Sequence, residues 1–247
     1  MGTGLRYSYR DQIVSVLDDI LSSQADVLDA VRDVVATALA ADKLIHVAGS
    51  GHSHLLAEEV FYRAGGIAAA QAILDPDLML HMGAQRSTLL EREEGRAAKV
   101  LANYTISPGD VVFVASNSGR NAYPIELASL AHDLGAVTVA LTSLDHSQKV
   151  SSRHTSGKKL HEITDYVISN CGEYGDAALD IPDRDVRMGP SSTLAGVFVL
   201  NAILAEAVAK LAQDGIETDV YQSANAQEAA GDTDDIVRRW RERLTGL

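Results

Sequence analysis

The spacing of hydrophobic residues changes along the chain and separates helical from strand-like stretches. Between residues 13 and 39, apolar side chains recur every three or four positions with acidic residues between them. That pattern predicts one long amphipathic helix or a pair of helices. Beyond it, short apolar runs alternate with amphipathic stretches. The runs that predict strands cover residues 44–48, 70–74, 111–115, 137–141 and 165–169.

Periodicity and end signals predict helices between these strands. Asn121 suits an N-cap, Pro124 falls in the first turn, and Gly135 ends the helix that they begin. Strands that alternate with helices require right-handed crossovers, so we predict an α/β fold with a single doubly wound, mostly parallel sheet. The other predicted helices cover residues 53–64, much of 86–104, 194–212 and 233–244, the last with Trp240 as its apolar anchor.

The predicted sheet domain covers residues 42–215. A helical segment, residues 1–41, precedes it and packs on the core or on a partner subunit, and a loop with a surface helix, residues 216–247, follows it. The first segment and the stretch 221–225 have no evident burial partner within one sheet. We therefore expect a homo-oligomer, most simply a homodimer, whose neighbouring chain can supply residues to the site.

Composition excludes several classes of function. The 247 residues carry a formal net charge of −13, which opposes binding to nucleic acids and to anionic membranes. The single cysteine, Cys171, forms no internal disulfide, and residues 1–10 lack the apolar core of a signal peptide, so we expect a cytoplasmic protein. Asn201, Glu206 and Lys210 interrupt the apolar stretch 194–212, which we interpret as a buried helix. The expected partner is a small molecule or another protein.

Two short turns rich in serine and glycine each follow a predicted strand and precede a helix. They are residues 49–53 (GSGHS) and 116–121 (SNSGRN), and a third polar turn, residues 189–193 (GPSST), opens the apolar helix. The carboxyl ends of parallel strands are where ligands of such sheets bind. Backbone N–H groups, hydroxyls and a helix N-terminus together favour an anion. The turns therefore predict a socket for a phosphorylated ligand.

Two nucleotide-binding motifs are incomplete in these turns. The dinucleotide fingerprint needs a third glycine where His54 stands, although Asp75 near the end of the second strand keeps an NAD site open. The lysine of a Walker loop is absent, since Arg120 and Asn121 follow Gly119. A single glycine turn also has a purely structural explanation, the close packing of chain and helix. The pair of turns is the stronger signal.

Together, the turns GSGHS and SNSGRN and the later helix opened by serine and threonine resemble those of the SIS (sugar isomerase) domain family, over roughly residues 35–215. That family has a flavodoxin-like or Rossmann-like sheet, and its second turn usually reads Ser-x-Ser-Gly-x-Thr or Ser. Hydroxyls of that turn grip the phosphate of a phosphosugar. The resemblance implies phosphate or substrate contacts from Ser50, Ser53, Ser116, Asn117, Ser118, Asn121, Ser192 and Thr193.

The resemblance leaves two questions open. Asn121 stands where the family has a hydroxyl, so its amide either reaches the phosphate or only caps the helix. Relatives include phosphosugar isomerases, an etherase that eliminates lactate from an acetylated amino-sugar 6-phosphate, and regulators that sense phosphosugars. The regulators carry an N-terminal helix-turn-helix, for which residues 1–41 are too few and too rich in aspartate. A transcription factor is not expected.

Glu59 is the acid/base candidate on the first sheet helix. Helical stepping places it at the border of the apolar face, where burial raises a carboxyl pKa toward that of a useful base, and an ion pair with Arg63 is the alternative. His81 and His154 are further candidates for proton transfer. Arg153 and Lys158 are candidates for binding hydroxyls or phosphate. For each of these loop residues the alternative is a solvated loop.

We predict no cofactor and no metal, since His52 and His54 have no cysteine or carboxylate at a known metal-ligand spacing. A carboxylate near C2 of an anchored aldose 6-phosphate abstracts the proton beside the open-chain carbonyl. With a hydroxyl at C2 the outcome is aldose–ketose isomerisation. With an N-acetyl group at C2, as in N-acetylglucosamine 6-phosphate, isomerisation is impeded, and the expected outcome is loss of water from C3. We favour elimination, with isomerisation and a non-catalytic sensor as alternatives.

Overall fold

A computed structural model describes residues 4–223 and 230–247 of the chain. Its centre is a five-stranded parallel sheet in the order β2-β1-β3-β4-β5. This confirms the predicted α/β fold and all five predicted strands. The strands are β1 Ile45–Gly49, β2 Ala70–Ile73, β3 Val111–Ala115, β4 Val137–Thr142 and β5 Tyr166–Ser169, with an additional antiparallel pair, β6 Leu179–Asp180 and β7 Arg187–Met188.

The strand order reverses its direction beside β1. From β1 the chain crosses to β2 on one side, and it then returns past β1 to β3 on the other. The loops after β1 and β3 consequently leave the sheet toward opposite faces, which opens a crevice between them at the carboxyl edge. Both serine turns lie at this crevice, because one follows β1 and the other follows β3.

Helices cover both faces of the sheet. The first region forms a pair of helices, one of the two predicted outcomes. The helix predicted over 86–104 is divided at Gly95, which adopts a left-handed φ of 81°. The helices are α1 Leu5–Ser23, α2 Ala25–Ala40, α3 His54–Val60, α4 Ala84–Leu90, α5 Arg96–Leu101, α6 Ala122–Asp133, α7 Leu144–Gln148, α8 Ser192–Gln213 and α9 Ala230–Trp240.

Alternate residues of each strand enter two separate cores. Phe113 of β3 points toward the side of α2, α3 and α8, where Val31, Val35 and Leu200 are fully buried. Its neighbour Val112 belongs to the opposite core, which α5 and α6 cover. A parallel sheet buried on both faces needs continuous apolar strands, and this requirement accounts for the uninterrupted run of β3.

The apolar helix α8 lies in the first core. It is the one helix, among the residues that the structure describes, whose length and composition would also allow it to cross a membrane. Of its most apolar window, 44% is buried inside the protein. Val199, Leu200 and Ile203 pack with the strands and with α2. This packing is that of the buried helix predicted from its interrupting polar residues.

The C-terminal segment packs against the same chain. Tyr221, only 2% exposed, lies with Ala68 and Ile236, and the Trp240 indole N–H donates to the Asp219 carboxylate at 2.8 Å. The expectation that residues 221–225 have no burial partner is therefore wrong for Tyr221, while residues 224 and 225 lie outside the described part. The helix predicted to extend to residue 64 ends at Val60 instead, because the chain turns to bring Tyr62 edge-on to Tyr221.

The first region divides its side chains between core and surface. Helix α2 contributes Val31 and Val35 to the core of the sheet, whereas α1 leaves several large apolar side chains exposed. Those exposed side chains agree with a partner subunit, so the homo-oligomer stays a prediction, as does the division into three regions. The exposed residues of α1 are Leu5, Tyr7, Val14 and Leu21.

One buried charge supports the start of β1. The Asp110 carboxylate accepts the backbone N–H groups of Leu44 at 3.0 Å and Ser107 at 2.8 Å and lies 3.1 Å from His46 Nε2. These contacts outweigh the effect of burial and hold the pKa of Asp110 below its ordinary value. These contacts hold the start of β1 against the loop that precedes β3.

We expect Asp110→Ala to reduce the free energy of unfolding by on the order of 3 kcal/mol, because it leaves His46 and two backbone N–H groups without a buried partner. Since the folded pKa is depressed, the contribution of Asp110 is complete above its unfolded pKa and is lost as the pH falls through the folded one. Urea unfolding at several pH values measures this. The exposed Asp18→Ala is the control, and equal losses in both variants would contradict the assignment.

Candidate functional site

The turn after β1 is held tightly against the start of α3. A Cβ at Gly49 would lie 2.4 Å from the Ser53 carbonyl oxygen, so this position needs glycine. The chain then makes a single 3-10 turn, Gly51–Ser53, before α3 begins. This geometry directs the Ser50 and Ser53 side chains into the crevice from the β1 side.

The turn after β3 is fixed through Gly119. Its φ of 58° lies in the left-handed region, and its N–H donates to the Ser116 hydroxyl at 3.2 Å. Its carbonyl accepts the N–H of Leu160 at 2.8 Å, and a Cβ would lie 3.2 Å from that leucine's side chain. Ser116, Asn117 and Ser118 are thereby presented at the carboxyl edge, half-buried.

The two turns and the start of α8 converge on one cleft. Ser53, Asn117, Ser192 and Thr193 line it together with Asn170, which follows β5. Its enclosed volume of about 10 Å³ holds about one water. Any larger ligand must therefore lie at its mouth, over the serine turns. Four of the residues predicted to bind substrate thus share one cleft.

Several donors in this region are without a protein acceptor. Within the described chain, the hydroxyls of Ser53, Ser118 and Thr193 make no side-chain hydrogen bond, and the Asn117 amide N–H₂ donates to no acceptor. Ser192 differs, because its hydroxyl donates to Asp176 at 2.5 Å. That carboxylate also accepts the N–H groups of Ser191 and Ser192, so it caps α8. The free donors suit an anionic oxygen.

A glutamate that the sequence did not single out joins the two turns. The Glu91 carboxylate accepts the Ser50 hydroxyl at 2.9 Å and the Asn121 amide at 2.7 Å. Its backbone carbonyl accepts the N–H of Tyr123 at 3.0 Å, in the first turn of α6. Burial raises the pKa of Glu91 above its ordinary value despite the Ser50 hydrogen bond and the nearby Arg92 and Arg153.

Asn121 is a junction in this network. It occupies the N-cap of α6 but makes no capping hydrogen bond with its side chain. Its amide N–H₂ donates to Glu91, and its oxygen accepts the Arg153 guanidinium at 3.1 Å. The amide that replaces the family's hydroxyl therefore links a carboxylate to a cation. Glu91 carries no periodic sequence signal, because it follows the short helix α4 and meets Ser50 only through tertiary folding.

Glu59 lies outside this network. It forms the ion pair with Arg63 that was its alternative role, and it accepts the Asn201 amide at 3.3 Å. Its side chain is 25% exposed. The structure does not place it among the residues that line the cleft. Its proposed role in proton transfer stays a prediction.

The two loop histidines also lie away from the cleft. His81 is exposed on the short turn Leu80–Met82. His154 lines a separate cavity of about 530 Å³ with Lys158 and Glu126. Its Nε2 is 3.9 Å from Glu94 and 3.8 Å from Glu126, a spacing open to a cation. Both carboxylates already accept backbone N–H groups, so we assign no metal there.

Comparison with known proteins gives this arrangement a family. The model of the SIS domain matches residues 8–143, more than half of the chain. The chain therefore belongs to the SIS domain family, as its turns indicated. Among solved structures of the same fold, the phosphoheptose isomerase from Neisseria gonorrhoeae has a TM-score of 0.51 at 19% identity, over 82% of this chain and 94% of that one.

Within that family the chain belongs with the UPF0309 proteins. It is 41% identical over 237 residues to one from Listeria monocytogenes serotype 4b, and the match covers 96% of each chain. A phosphoheptose isomerase from Francisella tularensis shares the fold at a TM-score of 0.50 and 14% identity, over 83% of this chain and 98% of that one. At these low identities the two solved structures support the fold of the chain rather than its reaction.

We expect Glu91→Gln to raise the melting temperature at pH 7 and to leave it unchanged at pH 4. A raised folded pKa means that the ionised carboxylate costs stability as the pH rises above the unfolded pKa, about 4.3. Glutamine removes the charge but keeps one acceptor oxygen for the Asn121 amide, and its N–H₂ can donate to the Ser50 hydroxyl, which also accepts. Thermal unfolding measures the difference, with the exposed neighbour Glu93→Gln as control. A lower melting temperature at pH 7 would show that the charge itself stabilises the turns.

Proposed function

We propose that this protein is a phosphosugar enzyme that binds a hexosamine 6-phosphate and abstracts its C2 proton with Glu91. The observation that carries the proposal is the Glu91 carboxylate between the two serine turns, half-buried and with a raised pKa. General bases work best when their pKa lies near the working pH. Buried carboxyls beside a polar cleft are found at catalytic sites for this reason.

The free donors support a phosphate position beside this base. Ser53, Asn117 and Thr193 line one cleft, and Ser118 follows Asn117 in the same turn, so their donors can surround a phosphate at the carboxyl edge. An anchored phosphate leaves the far end of an open-chain sugar to reach Glu91, which touches the same turn through Asn121. The serine turns would then bind the phosphate at one end of the sugar, and Glu91 would transfer the proton at the other end.

Elimination is the outcome that we favour. Removal of the C2 proton of an N-acetyl aldose gives an enolate that bears the acetamido group at C2. The C3–O bond then breaks as a C2–C3 double bond forms, and the leaving hydroxyl takes up the proton that Glu91 removed and departs as water. Isomerisation would return a proton to C1 and suits a second acid/base group. Among the described residues, Glu91 is the one carboxylate that bonds to either serine turn. The fold shared with two phosphoheptose isomerases keeps isomerisation as the alternative.

The reaction is tested by incubating the protein with N-acetylglucosamine 6-phosphate in deuterated water, followed by mass spectrometry. We expect a product lighter by one water and deuterium in the recovered substrate. Glucose 6-phosphate, which bears a hydroxyl at C2, is incubated in parallel, and its conversion to a ketose without loss of water from N-acetylglucosamine 6-phosphate would replace elimination with isomerisation. Thermal stabilisation by hexose phosphates without any exchange or product would identify a sensor and overturn the enzyme proposal.

Glu91→Gln should lower kcat by about 10² to 10⁴, the range of a lost general base, with the Kd for the sugar phosphate changed only a few-fold. Glu59→Gln is the matched control, because that glutamate pairs with Arg63 away from the cleft. Deuterium exchange at C2 reports the same step without turnover. Loss of exchange in Glu59→Gln with full exchange in Glu91→Gln would transfer the role of base to Glu59.

Ser118→Ala should weaken binding of the sugar phosphate by about tenfold, since a hydrogen bond to a charged group contributes about 1.5 kcal/mol or more. Isothermal calorimetry gives the Kd. Ser129→Ala is the control, because Ser129 lines the separate cavity beside His154. If the control variant lost affinity and Ser118→Ala did not, the ligand would lie in that second cavity.

A further inference from the structure

Three arginines lie close to one another beside Glu91, and none of them has an acidic partner of its own. No carboxylate of the described residues lies within 4.0 Å of the guanidinium groups of Arg92, Arg120 or Arg153. Other arginines nearby are paired: Arg86 with Asp77 at 2.9 Å, and Arg96 with Asp75 at 2.5 Å. In a chain with a net charge of −13, unpaired cations in one place are unexpected. We call Arg92, Arg120 and Arg153 the arginine rim.

Two members of the arginine rim, Arg120 and Arg153, are held in place by the protein. The Arg153 guanidinium donates to Asn121, and its backbone N–H donates to the Arg120 carbonyl at 2.8 Å. The Arg120 guanidinium donates to the Ser151 carbonyl at 2.8 Å. Partial burial, together with repulsion from Arg120 and Arg92, lowers the pKa of Arg153. The protein thus keeps these guanidinium groups close although they repel one another, which is typical of an anion-binding site.

Glu91 does not neutralise this charge. Glu91 lies near both Arg92 and Arg153, so one carboxylate faces two guanidinium groups, and the N-terminus of α6 adds a further partial positive charge at Asn121. Glu91 is also shared with Ser50 and Asn121, which take both of its oxygens. At least one guanidinium therefore has its donors free for a ligand. Planar guanidinium groups match carboxylate and phosphate oxygens best.

We propose that the arginine rim binds a second anionic group of the substrate, a carboxylate or a second phosphate near C1 to C3 of the sugar phosphate. This rests on the proposed function. The two ends of the turn 116–121 indicate where each anion binds. Asn117, near one end, lines the cleft with the free hydroxyls, whereas Asn121, at the other end, accepts a hydrogen bond from Arg153. A first phosphate at the mouth of the cleft, over the serine turns, leaves the arginine rim beside the carbon on which Glu91 acts. The preferred ligand is then a sugar that carries two anionic groups.

The test compares ligands that differ only in the second anion. Calorimetry measures the Kd of glucose 6-phosphate, glucose 1,6-bisphosphate, 6-phosphogluconate and a 3-O-carboxymethyl ether of glucose 6-phosphate. We expect at least one dianionic sugar to bind ten times more tightly than glucose 6-phosphate at low salt. Which one does so distinguishes a phosphate from a carboxylate and C1 from C3.

Arg153→Gln and Arg120→Gln should remove that preference, and their loss of affinity should be smaller for glucose 6-phosphate than for the dianionic sugars. Arg184→Gln, in the exposed turn between β6 and β7, is the matched control and should keep the preference. Equal affinity of the wild type for all four ligands would contradict the proposal that the arginine rim binds a second anion, and it would leave the proposed function standing. An equal loss for every ligand in Arg153→Gln would also overturn it, since the arginine would then hold the first phosphate. If no sugar phosphate bound at all, the proposed function itself would fail.

Discussion

The reversal of strand order beside β1 is the constraint on which the rest of the site depends. With β2 on one side of β1 and β3 on the other, the loops after β1 and β3 separate at the carboxyl edge. The space between them must be closed by some other part of the chain. The segment between β2 and β3 does this, since it passes over the edge and delivers Glu91 to both turns.

The charges of Glu91 and Arg153 lie close together at this edge without forming a direct ion pair. Burial disfavours the ionised form of Glu91, while hydrogen bonds from Ser50 and Asn121 favour it. Arg153 reaches the carboxylate only through the Asn121 amide, so it does not form a direct ion pair that would depress the pKa. An amide between the two charges keeps them close and still leaves the carboxyl able to exchange a proton.

The sequence predicted the scaffold well because local patterns determine it. Apolar runs indicated five strands, and the serine turns indicated the correct edge of the sheet, since a turn between strand and helix is a local feature. The division of the predicted helix 86–104 was missed, because its cause is a left-handed Gly95 within an otherwise helical pattern. Glu91 was missed for a different reason: its partners lie 41 and 30 residues away in the chain.

The contrast between Glu59 and Glu91 shows why helical periodicity in the sequence indicated one carboxylate as the candidate base, whereas the folded structure indicates another. Glu59 and Arg63 are one helical turn apart, so the helix that places Glu59 at the border of its apolar face also supplies the cation that pairs with it. The Glu59 carboxylate is therefore already paired with Arg63. Glu91 follows the end of α4 and finds its partners on two other loops, both of which bear on the crevice. Because those loops are the ones a phosphosugar would touch, a ligand that moves either turn must also change the surroundings of Glu91. Under the proposed function, substrate binding and the proton affinity of Glu91 are therefore coupled through the same two hydrogen bonds.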